Sequence, residues 1–141
     1  MAQKIYKKSI LSHKNNVRIY YEDTDAGGVV YHVNYLKYAE RSRTEMLRKY
    51  KIEQEKLKIN FNIQFIVKNL FIEYYASAKL DDLLNIKSLI IQISSAKIIM
   101  EQSIFNKKKL LAKINVTLGS VNLEGKPSRL PKFVLNILNT K

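Results

Sequence analysis

Between Lys109 and Asn122 the chain reads KLLAKINVTLGSVN, and Leu110, Ala112, Ile114, Val116 and Leu118 fall on one face of an extended segment. Three more stretches read as extended: Phe61 to Ser77, Leu83 to Ser95, and Lys97 to Asn106. NVRIYYED (Asn16 to Asp23) also alternates, with Val17, Ile19 and Tyr21 on one face and Arg18, Tyr20 and Glu22 on the other. Only NYLKYAERSRTEMLRKY (Asn34 to Tyr50) changes period: Tyr35, Ala39, Met46 and Tyr50, joined by Leu36 and Leu47, recur at helical spacing, and Asn34 stands where an N-cap belongs. NKKK (Asn106 to Lys109) supplies a hairpin turn and LDD (Leu80 to Asp82) a loop, while a short helix is expected after Pro131. The pattern predicts an α+β chain ordered strand, helix, four antiparallel strands.

The segments at 61–77 and 83–95 carry apolar residues on both faces, so one face is expected to meet the helix and the other a second copy of the sheet. At 141 residues the chain is expected to form one domain, 1–141. It has no cysteine, which excludes disulfides, thiolate metal sites and a cysteine nucleophile. MAQKIYKKSILSHKNN lacks the apolar core of a signal peptide, and no run approaches a membrane span, so a cytoplasmic protein is expected. The formal charge of +13 is spread over nearly every segment without a zinc, RNA-recognition or helix-turn-helix signature; a solvated basic face is expected, not a nucleic-acid surface.

Three acidic residues, Glu22, Asp23 and Asp25, gather in YYEDTDAGGVVYHVNY (Tyr20 to Tyr35), beside the one Gly-Gly pair. If the strand phase runs on past Tyr21, Asp23 and Asp25 point toward the core, where burial would tune a carboxylate. Ala26-Gly27-Gly28 lets the backbone bend and approach a ligand, then feeds a helix whose first N–H groups can meet an oxyanion. A carboxylate, bare backbone and N–H donors are the parts of acyl transfer without serine or cysteine. The same residues also fit a plain Asx turn in which Asp23, Thr24 and Asp25 only satisfy backbone groups.

VRIYYEDTDAGGVVYHVNYLKYAERSRTEMLR (Val17 to Arg48) resembles the signature of the YbgC-like acyl-CoA thioesterases of the hotdog superfamily, the branch that includes 4-hydroxybenzoyl-CoA thioesterase. The similarity continues through VKNLFIEYYASAKLDDLLNI (Val67 to Ile86) and SRLPKF near the C-terminus. The resemblance implies a hotdog fold, one long helix wrapped by a curved antiparallel sheet and paired across a two-fold, in dimers or tetramers with active sites at the subunit interface. It implies a thioester hydrolase that uses no metal or cofactor and acts on acyl-CoA or on acyl carrier protein.

By the same matching, Asp25 is the catalytic carboxylate, as nucleophile or as base for water, and His32 is the helix-start residue whose N–H polarises the carbonyl. Tyr21, four strand positions before Asp25, is expected to steady it, and Gly27, Gly28, Val29 and Tyr31 to line the substrate. Glu40, on the helix, is the fallback carboxylate. The arginine-rich turn that meets the coenzyme A phosphates in 4-hydroxybenzoyl-CoA thioesterase reads ISSAKII here (Ile93 to Ile99), leaving Lys97 as the basic contact. The rival readings are a hotdog protein that binds acyl carriers without hydrolysis, and a basic nucleic-acid binder.

Overall fold

Branched apolar residues at alternate positions suit a pleated surface with one buried face. In the computed structural model, which describes residues 11–139, they form a five-stranded sheet. Its strands are β1 (Ser12–Arg18), β2 (Gln64–Tyr74), β3 (Leu83–Ile93), β4 (Lys97–Asn106) and β5 (Lys109–Val121). Their spatial order is β1-β3-β4-β5-β2, every neighbouring pair is antiparallel, and β1 and β2 are the edges. Ala112, Ile114, Val116 and Leu118 of β5 and Leu84, Ile86 and Ile90 of β3 are buried.

The helix α1 (Asn34–Lys49) buries Tyr35, Tyr38, Ala39, Ser42, Arg43, Met46 and Leu47, spaced by threes and fours along one stripe. Tyr35, Tyr38, Ala39, Met46 and Leu47 join the strands in one core cluster with Val134 and Leu138 of α3 (Lys132–Leu138). Burying a side chain the size of Met46 or Leu47 contributes about 1.5–3 kcal/mol. A polar bridge crosses that core. Arg43 donates to Gln102 Oε1 at 3.0 Å, and the Gln102 amide donates to the Ala39 carbonyl and to Ser88 Oγ, both at 2.9 Å, so helix, β3 and β4 share one network.

The order expected from the sequence holds, with three corrections. First, β1 ends at Arg18: the Ile19 N–H donates to the Asp82 carbonyl and the Asp81 N–H to the Ile19 carbonyl, after which Tyr21–Asp23 forms a 3₁₀ turn. That turn breaks the strand phase, so Tyr21 does not follow Val17 and Ile19 inward but stands 82% exposed. Second, Asn34 is the first helical residue and not the cap; Val33 occupies the cap position with helical dihedrals and no side-chain cap bond. Third, a helix that the spacing did not reveal, α2 (Gln54–Phe61), precedes β2. It buries only Leu57 and ends at Asn62, whose φ of 55° is left-handed, so β2 begins at Gln64 and not at Phe61. Most of the N-terminal stretch read above lies outside the described residues. Among the described residues no helix is long and apolar enough to cross a membrane.

On β2 the expected two-sided apolar character is plain. Ile66, Val67, Phe71 and Tyr74 are exposed on a strand that pairs on one side only. An unpaired strand edge with apolar side chains is a surface for another chain.

Candidate active site

The segment from Tyr20 to Asn34 is held by its own backbone and by short polar side chains. Asp23 Oδ2 accepts the Tyr20 N–H at 2.8 Å, and the Thr24 hydroxyl donates to the Tyr21 carbonyl at 2.9 Å. The Asp23 carbonyl accepts two more donors, the Tyr31 N–H at 2.9 Å and Asn34 Nδ2 at 2.8 Å. Asp23 and Thr24 thus build the turn, as the plain Asx reading has it. The Asp25 N–H donates to the Val29 carbonyl at 2.9 Å and the Gly28 N–H to the Asp25 carbonyl at 3.0 Å, closing a tight loop. Gly28 takes φ +79° there, a conformation that a side chain would strain. The Val30 N–H then ties the loop to the Ala78 carbonyl at 2.9 Å.

Asp25 is exposed, not directed into the core, because the 3₁₀ turn resets the register. Its Oδ1 accepts the Gly27 N–H at 2.9 Å, which orients the carboxylate and leaves Oδ2 without a partner among the described residues. A groove of about 340 Å³ opens beside it, lined by Asp25, Val29, Val30 and His32 from the loop, Tyr35 from α1, Tyr74 at the end of β2, and Tyr75, Ala76 and Ser77 just after it. Carboxylate, imidazole and helix start therefore share one depression.

The helix start is pinned from several sides. The Tyr31 carbonyl accepts the Asn34 N–H at 2.9 Å, the His32 carbonyl accepts the Tyr74 hydroxyl at 2.8 Å, and the Tyr35 hydroxyl accepts the Ala78 N–H at 3.0 Å. Just ahead of the helix, the N–H groups of His32 and of the cap residue Val33 have no backbone acceptor among the described residues. Burial raises the Tyr35 hydroxyl above the ordinary phenol range, with the Ala78 bond opposing and Asp82 adding to it; burial likewise raises Tyr74. Both phenols keep their protons at neutral pH. Behind the loop, burial first and then the Asp23 carboxylate push the Tyr38 hydroxyl far up, so it too stays neutral.

Of the residues singled out from sequence, Asp25, His32 and Val29 line the groove, and Gly27 and Gly28 shape its floor loop. Tyr31 packs edge-on against His32, ring centroids 4.8 Å apart. Tyr21 opens the 3₁₀ turn, stands exposed and is not among the residues that line this groove within one chain. Lys97 lies elsewhere, in a groove of about 300 Å³ with Lys68, Ser94, Ser95 and Ser120. Glu40 also lies apart, in a small cavity with Arg43, accepting from the Thr44 hydroxyl at 3.1 Å. Sequence spacing missed Tyr74 and Tyr35 as site residues, although EYYAS was part of the resemblance; Tyr74 meets His32 across 42 positions, which no local period reports.

Residues 19–138 match the family model described as the thioesterase-like superfamily. The acyl-CoA thioesterase YbgC of Haemophilus influenzae is 44% identical over 119 residues, 84% of this chain and 88% of that protein. The acyl-CoA thioester hydrolase YbgC of Escherichia coli O6:H1 is 43% identical over 121 residues, 84% of this chain and 90% of its own. Among solved structures, a probable thioesterase from Bartonella henselae superposes with a TM-score of 0.82 at 36% identity, covering 86% of this chain and all (100%) of that one.

Proposed function

The chain belongs to the thioesterase-like superfamily and is a hotdog-fold thioesterase, and on that footing we propose that it hydrolyses acyl-CoA thioesters at the Asp25–His32 groove. One observation carries the reading: an oriented carboxylate, with one oxygen unpartnered among the described residues, shares a groove with His32, whose N–H, like that of Val33 just ahead of the helix, has no backbone acceptor there.

The thioester carbonyl oxygen takes the helix-start N–H at His32, where the partial positive charge of the dipole favours the oxyanion. Asp25 Oδ2 then acts on the carbonyl carbon, by attacking it or by drawing a proton from a water that attacks. In the first course an acyl anhydride forms and water cleaves it; in the second the tetrahedral intermediate forms directly. Either way the C–S bond breaks, the sulfur leaves as thiol with one proton, and the acyl group leaves as carboxylic acid. The His32 imidazole steadies the water or the carboxylate. Gly27 and Gly28 keep side chains away from the reacting carbon, while Val29 and Tyr31 bound the acyl group.

The carrier's phosphates rest near Lys97 and Lys68, whose groove adds charged donors suited to anions. Acyl carrier protein, which is acidic, is a second carrier that the net charge of +13 favours. The protein works as one domain, 1–141, in the cytoplasm, paired through β2 into a dimer or tetramer.

Thiol release from acetyl-, butyryl-, hexanoyl- and benzoyl-CoA and from the matching acyl carrier proteins tests the function. Release of thiol and acid in equal amounts from at least one CoA ester is expected. Binding of these esters with no thiol released would make the protein a non-hydrolytic acyl-carrier binder.

A further inference from the structure

Tyr74 closes β2, and its ring lies edge-on to His32 and to Tyr35, with centroids 6.2 and 5.6 Å away. Its hydroxyl donates to the His32 carbonyl at 2.8 Å. A peptide unit is planar and carries its C=O and its N–H on opposite sides, so holding one group aims the other. His32 has both flanking peptides held: the Asn34 N–H holds the Tyr31 carbonyl, and Tyr74 holds the His32 carbonyl. Asn34 belongs to the helix itself, whereas Tyr74 comes from the sheet edge and is the tie that fixes the helix start relative to the groove wall.

We propose that Tyr74 is a positioning residue for thioester hydrolysis: by holding the His32 carbonyl it aims the N–H of Val33 and fixes His32, whose own N–H the Tyr31–Asn34 bond aims, so that these donors and the imidazole stand ready for the reacting carbonyl. This rests on the reading of Asp25 and His32 given above. Its action is on the transition state, because donors fixed before the reaction need no reorganisation as the oxyanion develops. A tie that only aims a donor is worth less than the donor itself, whose loss costs roughly 10²–10³-fold in kcat.

The Tyr74→Phe variant keeps the ring and removes the bond. With the acyl-CoA of the panel above that the parent turns over fastest, kcat is expected to fall by about tenfold with KM within about twofold, since substrate binding does not need the aimed donor. Infrared difference spectra of the same ester carrying a ¹³C=O label, bound to Asp25→Asn protein, should show a red-shifted thioester band that moves back toward its aqueous position when Tyr74→Phe is added. A kcat within twofold of the parent, or a kcat loss that tracks a lowered melting temperature while the band stays put, overturns the positioning role. Loss of turnover in Asp25→Asn beside such a result leaves the site standing and removes only Tyr74. Normal turnover in Asp25→Asn removes the site and Tyr74 with it.

Discussion

Asp23 and Asp25 sit two positions apart and spend their carboxylates differently. Asp23 gives Oδ2 to the Tyr20 N–H and its carbonyl to Tyr31 and Asn34, so it is the knot of the loop. Asp25 gives one oxygen to Gly27 and keeps the other. Asp23→Ala should lower stability by about 0.5–2 kcal/mol, the range for losing a side-chain acceptor of an end-of-helix N–H, as read from urea denaturation. An unchanged midpoint would mean the bond to Tyr20 is idle. The pairing of carboxylate and Gly-Gly was legible in the sequence because turn chemistry is local. The direction in which Asp25 points was not, since it depends on Ile19 bonding to Asp81 and Asp82, more than sixty positions on, which ends the strand early.

The elements were most legible where burial is one-sided. β4 has the bounds that the spacing gave, and β5 differs by one residue, because central strands packed under a helix must alternate. α2 escaped notice because it buries one residue, Leu57, and so presents no stripe. β1 escaped at its start because SHKNN is polar, yet it pairs with β3 from Ser12↔Leu89 to Arg18↔Leu83. His13 of that strand has a buried Nδ1 with no partner among the described residues, and burial, then Lys49, lower its imidazole below the ordinary 6.5, against an opposing pull from Glu45. The unfolded chain then holds the His13 proton more tightly than the folded one. That contribution to stability is whole above 6.5 and declines as pH falls through the ordinary value toward the lowered one. Melting temperature should therefore drop on going from about pH 7.5 to 5.5, with a shallower slope in His13→Gln. Equal slopes would show that His13 does not titrate with folding.

Of the two edge strands of the whole sheet, β2 is the one that presents exposed Phe71, Ile66 and Val67. The proposed pairing through β2 covers that face, and sedimentation at micromolar concentration should give a dimer or tetramer; Phe71→Lys should shift it toward monomer. A parent protein that sediments as a monomer would leave the face unexplained and the shared-site arrangement unsupported. The central claim concerns Asp25, and its replacement by Asn keeps the size while removing both nucleophile and base. The decisive measurement sets turnover beside binding: kcat for the best acyl-CoA, and Kd for a non-hydrolysable acyl-CoA thioether, on folded Asp25→Asn protein of parental oligomeric state. A fall in kcat of at least ~10²-fold is expected, with Kd within a few-fold of the parent. Near-parental kcat on that folded protein would contradict it and turn attention to Glu40.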